Sequence, residues 1–177
     1  MAVKRNWWLR AEGWWLVRTA GYVLALGIIA LPLGAQDSGI PVGSKAPAAV
    51  AETLDGKPAN LDAWIGKEPI FIEFWATWCS QCKELEPQVL ALQKKYAGKM
   101  RFVGVSISAN QSVELVKRYI KAHGLQGEQL YDRKGFATDA YEVPTTSYVV
   151  VVNAKGVVVY TGTGGKQNLA AAVAKAF

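Results

Sequence analysis

The chain contains two cysteines, Cys79 and Cys82, whose Cys-x-x-Cys spacing is suited to thiol and disulfide chemistry. They directly follow the apolar run 70–76, at a point where a buried strand would end and a helix would begin. A helix N-terminus stabilises a thiolate through its unpaired N–H groups and its dipole. This position therefore favours a redox-active pair.

Two structural roles compete with the redox interpretation. A zinc site needs four ligands, and His123 is the only histidine to join the two cysteines, so donors are lacking. A purely structural Cys79–Cys82 disulfide would close too short a loop to remove much entropy from the unfolded chain. We therefore predict no metal site and no cofactor beyond the redox-active disulfide itself.

Composition and charge narrow the functional classes. The chain has 177 residues, 51% of them hydrophobic, which suffices for one domain with a core plus an extension. Of the formal charge of +6, half comes from the first 18 residues, which hold four basic side chains and one acidic one. The remainder has no dense basic stripe with interleaved aromatics, so we predict no nucleic-acid partner.

The N-terminal part resembles an export segment. An uncharged apolar stretch, 19–33, follows the basic start, as in a signal peptide. A membrane span needs roughly 20 residues, but flanking tryptophans could extend the stretch into an uncleaved anchor, and a buried core helix is a third alternative. We predict a signal peptide or N-terminal membrane anchor at 1–35, a linker at 36–45 and a folded domain at 46–177. Its predicted location is the periplasm or the extracytoplasmic face of the membrane, where oxidising conditions suit a dithiol couple.

The folded part alternates the patterns of strands and helices, as α/β domains do. We predict a hairpin at 48–61 and a helical turn at 62–66, strands at 70–76, 102–107, 129–131, 146–152 and 157–161, and helices at 80–96, 112–122, 135–141 and 167–177. This order gives a central mixed β-sheet flanked by helices, with an N-terminal β-hairpin extension.

The motif and its surroundings resemble the thioredoxin superfamily. The shared features are Phe74-Trp75-Ala76-Thr77-Trp78-Cys79-Ser80-Gln81-Cys82-Lys83, Pro87 five residues later, and Val143-Pro144-Thr145 downstream. Segments 42–47, 54–57 and 108–130 are similar to the exported TlpA-like and ResA-like branch in particular. The resemblance covers residues 42–177 and implies a thioredoxin-like fold.

The resemblance also implies chemical roles. Cys79, at the exposed start of the helix, would be the attacking thiolate, and the more buried Cys82 would be the resolving thiol. Glu73 stands at the superfamily's buried-acid position and would accept the proton of Cys82, because burial without a cation favours the neutral acid. Two alternatives stay open for Glu73: it faces outward on an edge strand, or it pairs with a lysine.

Further positions are assigned to substrate binding by the same resemblance. It implies a cis Val143–Pro144 peptide that faces Cys79, with the Val143 backbone free to pair with a substrate strand. Trp78 would border this site together with Trp75, although both side chains could instead be core packing.

Some features depart from the family or stand outside its motif. Leu85 replaces a glutamate common in exported relatives, and Gly104 replaces the lysine that pairs with the buried acid in cytosolic thioredoxins, so Glu73 is expected to lack that partner. We interpret His123 as a residue at a helix C-terminus. The glycine-rich run 162–165 lacks the P-loop pattern and is interpreted as a flexible connector.

These observations predict an envelope protein-disulfide oxidoreductase. It would reduce disulfides of exported proteins, for example in cytochrome c maturation, and receive electrons from an upstream membrane donor. The alternatives are a disulfide oxidant or isomerase, and a non-catalytic holdase or copper-binding module in which two thiolates hold Cu(I).

Overall fold

The computed structural model describes residues 39–177. The signal peptide or membrane anchor predicted for residues 1–35 lies outside this range, and the predicted division of the chain stays a prediction. Within residues 39–177, none of the helices combines the length and apolar character needed to cross a membrane.

The sheet is mixed, and its strands follow the order β2-β1-β5-β4-β3-β6-β7. The strands are β1 (Val50–Thr53), β2 (Pro58–Asn60), β3 (Ile70–Trp75), β4 (Arg101–Ile107), β5 (Glu128–Asp132), β6 (Tyr148–Val152) and β7 (Val158–Gly162). Strands β3, β4 and β5 are parallel, whereas β6, β7 and the β1–β2 hairpin pair antiparallel. This arrangement confirms the predicted mixed sheet and the N-terminal hairpin.

The helices are α1 (Ser80–Lys95), α2 (Val113–His123), α3 (Phe136–Ala140) and α4 (Leu169–Ala174). Helix α2 has both of its ends marked by the sequence: the Ser112 side chain caps the N-terminus, and Gly124 ends the helix with a left-handed φ of 65°. A short 3-10 turn at Leu61–Ala63 stands close to the predicted helical turn. The element order of the prediction is therefore confirmed, with small differences at the boundaries.

The central strand β3 positions the cysteine motif, because the strand ends at Trp75, just before the motif. Strand β3 lies between β4 and β6 and packs against other elements on both faces. On one face Phe71 packs in a cluster with residues of α1 and α4, and its ring lies 5.2 Å from that of Phe102. On the other face the Phe74 ring lies 5.4 Å from Tyr141, at the end of α3. Alternation along β3 then puts Glu73 and Trp75 on the Phe71 face, beneath α1.

The residues before the hairpin lie beside the start of β7. The N–H of Gly43 donates to the Val158 carbonyl at 2.8 Å, and the Val158 N–H donates to the Ser44 carbonyl at 2.9 Å. Ile40 is buried in the core, and its N–H donates to the Tyr148 hydroxyl at 3.1 Å. The described part of the predicted linker therefore packs against the sheet.

Candidate active site

The two cysteines lie at the junction of β3 and α1, as the spacing of the motif predicts. They form a disulfide with the Cα atoms 5.3 Å apart. Cys79 is the N-cap of α1, and its Sγ accepts the N–H of Cys82 at 3.0 Å. That sulfur therefore stands where unpaired helix N–H groups favour negative charge.

The predicted difference in exposure between the two cysteines is wrong for the disulfide form. Cys79 is 4% exposed and Cys82 3%. Both belong to an apolar cluster that includes Trp75, Val116 and Tyr131, so helix α2 and strand β5 help to bury the helix start. The cysteines differ in their polar surroundings rather than in their exposure.

Glu73 shares a narrow pocket with Cys82. The pocket has room for about 30 Å³ of solvent and is also lined by Glu86 from α1 and Gly104 from β4. Burial, and secondly the charge of Glu86, raises the pKa of Glu73 to about 8. None of the ion pairs among residues 39–177 includes Glu73. Because β3 is a central strand, the alternative that Glu73 faces outward on an edge strand is wrong. The alternative that Glu73 pairs with a lysine is also wrong, because it forms no ion pair within this range.

Gly104 explains why Glu73 has no cationic neighbour across the sheet. It pairs in register with Glu73 on the parallel strand β4. A Cβ atom at this position would lie 2.4 Å from the Gln129 Oε1 and 3.0 Å from the Trp75 Nε1. A lysine could not stand here without displacing both side chains, so the expected lack of that partner follows from packing.

The two tryptophans of the motif have different roles. Trp75 is 4% exposed, and its ring centroid lies 5.5 Å from that of Tyr119 on α2. Trp78 is 48% exposed, and its Nε1 donates to the Ala109 carbonyl at 2.8 Å. Trp75 is thus core packing, and Trp78 offers an aromatic face beside the cysteines.

Gln111 supports the motif from the neighbouring loop, which sequence reasoning missed. Its Oε1 accepts the Thr77 N–H at 2.9 Å, and its Nε2 donates to the Ser106 hydroxyl at 2.9 Å. The Tyr131 hydroxyl donates to the Gln111 carbonyl at 2.9 Å. The only sequence signal was an amide side chain directly before the N-cap of α2.

The predicted cis Val143–Pro144 peptide is wrong in this structure, since residues 39–177 contain no cis peptide bond. A trans X-Pro bond is the lower-energy form by about 0.5–1 kcal/mol, and the chain turns here through the left-handed φ of 48° at Glu142 instead. The Val143 N–H is not free either, because it donates to the Thr138 carbonyl at 3.0 Å. Pro144 is exposed.

Ser147, missed in the sequence, connects this loop to the motif. Its hydroxyl contacts the Gln81 Oε1 at 3.1 Å and accepts the Gly164 N–H at 2.9 Å. The glycine-rich run, interpreted as a flexible connector, is thus hydrogen-bonded beside the start of α1.

A second polar cluster joins α1 to α2. The Tyr119 hydroxyl donates to the carboxylate of Glu86, and the His123 Nδ1 lies 2.8 Å from the other carboxylate oxygen. The rings of Tyr119 and His123 stack with centroids 3.8 Å apart. Burial, followed by the Glu86 contact, raises the pKa of the Tyr119 hydroxyl. His123 is the last residue of α2 as predicted, but its contact with Glu86 was not predicted.

The described residues contain no group of three or more His, Cys, Asp or Glu side chains arranged to hold a metal ion. The chemistry that they do bring together is a disulfide, an acid beside one of its cysteines, and an exposed aromatic. Such a site exchanges thiols for disulfides through a mixed disulfide.

Fold and site define a thioredoxin-like thiol-disulfide protein, and comparisons with known sequences agree. The Redoxin family matches residues 41–176. The thioredoxin-like protein YneN of Bacillus subtilis (strain 168) is 33% identical over 137 residues, which cover 76% of this chain and 79% of YneN. The thiol-disulfide oxidoreductase ResA of the same organism is 32% identical over 125 residues, covering 71% of this chain and 69% of ResA.

Solved structures share the fold. A thiol:disulfide interchange protein of the thioredoxin family from Chlorobium tepidum has a TM-score of 0.61 at 25% identity, covering 77% of this chain and 98% of its own. A secreted Mycobacterium tuberculosis disulfide oxidoreductase homologous to E. coli DsbE has a TM-score of 0.62 at 24% identity, covering 71% and 93%. The chain belongs to the Redoxin family of the thioredoxin superfamily. It is a ResA-like enzyme of the thiol-disulfide oxidoreductase class.

Proposed function

We propose that this enzyme works in the cell envelope, where it reduces disulfides of exported proteins, for example in cytochrome c maturation. The observation that carries the proposal is the different setting of the two sulfurs. The Sγ of Cys79 accepts a helix N-terminal N–H, whereas Cys82 lines the pocket of Glu73. The first setting suits an attacking thiolate, and the second suits a thiol that must lose a proton.

The reduction proceeds in two exchanges. The Cys79 thiolate attacks one sulfur of the substrate disulfide, forms a mixed disulfide and releases the other substrate sulfur as a thiolate. Cys82 then gives its proton to Glu73 and attacks the Cys79 Sγ, which forms the Cys79–Cys82 disulfide and releases the second substrate thiolate. The protein loses two electrons, the substrate gains two, and the substrate thiolates take protons from water.

Glu73 suits this transfer because its pKa of about 8 keeps both of its forms populated near neutral pH. A base with an ordinary glutamate pKa would rarely hold the proton afterwards. The reaction needs no bound cofactor, since the reduced Cys79–Cys82 dithiol itself carries the two electrons.

Substrate contact falls to the exposed surface around the disulfide. We assign Trp78 to this surface because its ring is exposed beside Cys79. Val143 and Pro144 complete it in our proposal, with the carbonyl of Val143 as the backbone partner of a substrate strand, because its N–H is already engaged.

The envelope location rests on the N-terminal pattern of a basic start and the apolar stretch 19–33. A structural neighbour described as secreted agrees with it. A reductase in this compartment needs an electron supply, so we infer an upstream membrane protein that reduces the Cys79–Cys82 disulfide. The same N-terminal stretch could tether the enzyme to the membrane beside that donor.

The reduction potential of the Cys79–Cys82 pair tests the direction of the reaction. Equilibration with a defined thiol buffer should give a value near that of thioredoxin, about −270 mV. A value near that of DsbA, about −120 mV, would instead make the protein an oxidant of newly exported thiols.

Cysteine variants test the order of attack. Cys79→Ser is expected to abolish reduction of the insulin disulfides, because no other thiol is placed to begin the exchange. Cys82→Ser, its matched control, should still attack but should accumulate the mixed disulfide, which is visible as a covalent adduct under non-reducing conditions. Full turnover by Cys79→Ser would contradict the mechanism, and Cu(I) retention without exchange would favour a copper-binding module.

A further inference from the structure

The pocket beside Cys82 holds a second carboxylate that the exchange steps above do not use. Glu86 lies one turn after Cys82 on α1 and lines the same pocket as Glu73. Its side chain is 18% exposed, and it is held in place by the Tyr119 hydroxyl and by His123. Neither contact is part of the backbone hydrogen bonding of α1, and together they fix a carboxylate in the lining of the Glu73 pocket.

The titratable groups around Glu73 come from two helices. Helix α1 contributes Cys82 and Glu86, and α2 contributes Tyr119. Two further groups contact the cluster: the His123 Nδ1 lies 2.8 Å from the Glu86 carboxylate, and the Lys83 ammonium lies 5.9 Å from the Tyr119 ring centroid. The facing strands contribute Gly104 and Gln129, which do not titrate.

The pocket also contains buried acceptors that need a proton donor. The Oε1 atoms of Gln93 and Gln129 are buried and have no hydrogen-bond partner within residues 39–177. Both glutamines line the pocket, whose volume of about 30 Å³ can hold a water molecule. A protonated carboxylic acid or a water bound to it would satisfy these oxygens, whereas two carboxylates would add further acceptors.

We propose that Glu86 is a positioning residue for proton transfer between Glu73 and Cys82: its carboxylate, fixed in the same pocket by Tyr119 and His123, disfavours the charged form of Glu73. A like charge beside a buried carboxyl favours the neutral form of that carboxyl. The proton of Glu73 moves to the Cys82 Sγ when the disulfide is reduced, and it returns to Glu73 when Cys82 attacks the mixed disulfide. This inference rests on the proposed function, since it assigns a source to the proton of that reaction.

The test compares Glu86→Gln with Glu84→Gln, a matched loss of charge on the exposed side of the same helix. Glutamine keeps the size of Glu86 and its ability to accept from Tyr119. The Glu73 carboxyl is titrated by ¹³C NMR in the reduced protein, and single-turnover oxidation by a disulfide peptide is followed against pH. Glu86→Gln should lower the midpoint of the Glu73 titration and the midpoint of the pH–rate profile by about one pH unit each. Glu84→Gln should leave both midpoints unchanged.

Equal midpoints in the two variants would overturn the effect of Glu86 on Glu73. Glu86→Asp supplies a second check, because it keeps a carboxylate and should leave the Glu73 midpoint closer to the wild-type value than glutamine does. Failure of the proposed function has a different signature. A wild-type protein that exchanges no disulfide at any pH would refute the activity, while the NMR titration would still report whether Glu86 acts on Glu73.

Discussion

The chemistry at single residues depends on one acid, Glu73, which forms no ion pair among residues 39–177. Glu73 stands opposite Gly104, where the Trp75 and Gln129 side chains fill the space that a larger residue would need. Its charge is therefore disfavoured by burial without compensation. The same arrangement gives both a catalytic prediction and a stability prediction for this residue.

Glu73→Gln should slow the attack of Cys82 on the mixed disulfide by about 100-fold at pH 7, the lower end of what a general base contributes. The first exchange should keep its rate, because Cys79 is stabilised by the helix N-terminus instead. Rapid mixing with a disulfide peptide, followed by acid quench and mass spectrometry, separates the two steps. An equal loss in both would argue that Glu73 acts on the structure of the whole site.

The raised pKa of Glu73 also makes stability depend on pH. Between pH 4.5, the ordinary pKa of a glutamate side chain, and the pKa of about 8 that burial gives Glu73, the folded protein keeps a proton that the unfolded chain has released. The free energy of unfolding should therefore fall as pH rises through this window, by up to about 1.4 kcal/mol per pH unit. Glu73→Gln removes this contribution, so urea unfolding of the two oxidised proteins should diverge from pH 5 to pH 8 in favour of the variant. Parallel pH profiles would contradict the burial of this acid.

Much of the element order was predictable because the signals are local. Alternating and helical apolar patterns, the Ser112 and Gly124 caps and the strand before Cys79 each indicate structure within a few residues. The contacts that complete the site join segments distant in sequence, such as Gln111 with Thr77 and Glu86 with Tyr119. They depend on how helix α2 packs over α1, which no local pattern specifies.

The errors have the same origin. The equal burial of Cys79 and Cys82 comes from Val116 and Tyr131, which lie on other elements. The trans Val143–Pro144 peptide is accommodated by turns at neighbouring residues rather than by the proline itself. In both cases a family resemblance supplied a role, while the surrounding elements determined the geometry.

The loop between β4 and α2 is the element that supports the motif, and Gln111→Ala tests it. The variant leaves the half-buried Thr77 N–H and the buried Ser106 hydroxyl without their partner, so the unfolding free energy should drop by about 1–3 kcal/mol. Denaturant unfolding measures the loss. Gln126→Ala, on the exposed surface, is the control and should stay within about 0.5 kcal/mol of the wild type. A Gln111→Ala protein as stable as this control would exclude the supporting role.

At the scale of the whole molecule, the sheet has two edges with different protection. The short strand β2 ends one side, and an edge of three residues offers little backbone to another chain. On the other side, residues 43–46 hydrogen-bond to Gly156, in the turn before β7, and to Val158, the first residue of β7. The segment that leads into the domain therefore also closes the start of this edge.

This closure predicts where the domain can be truncated. A chain that begins at residue 47 loses the hydrogen bonds to β7 and the burial of Ile40, which should lower its unfolding free energy by about 2–4 kcal/mol relative to one that begins at residue 36. A chain that begins at residue 39 keeps these contacts and should unfold like the longer one. Urea unfolding of the three chains measures the loss of stability. Light scattering measures association, which an uncovered β7 should promote through its free backbone groups. If all three chains share one unfolding midpoint, residues 39–46 contribute nothing to the stability of the fold, and the domain begins only at the hairpin.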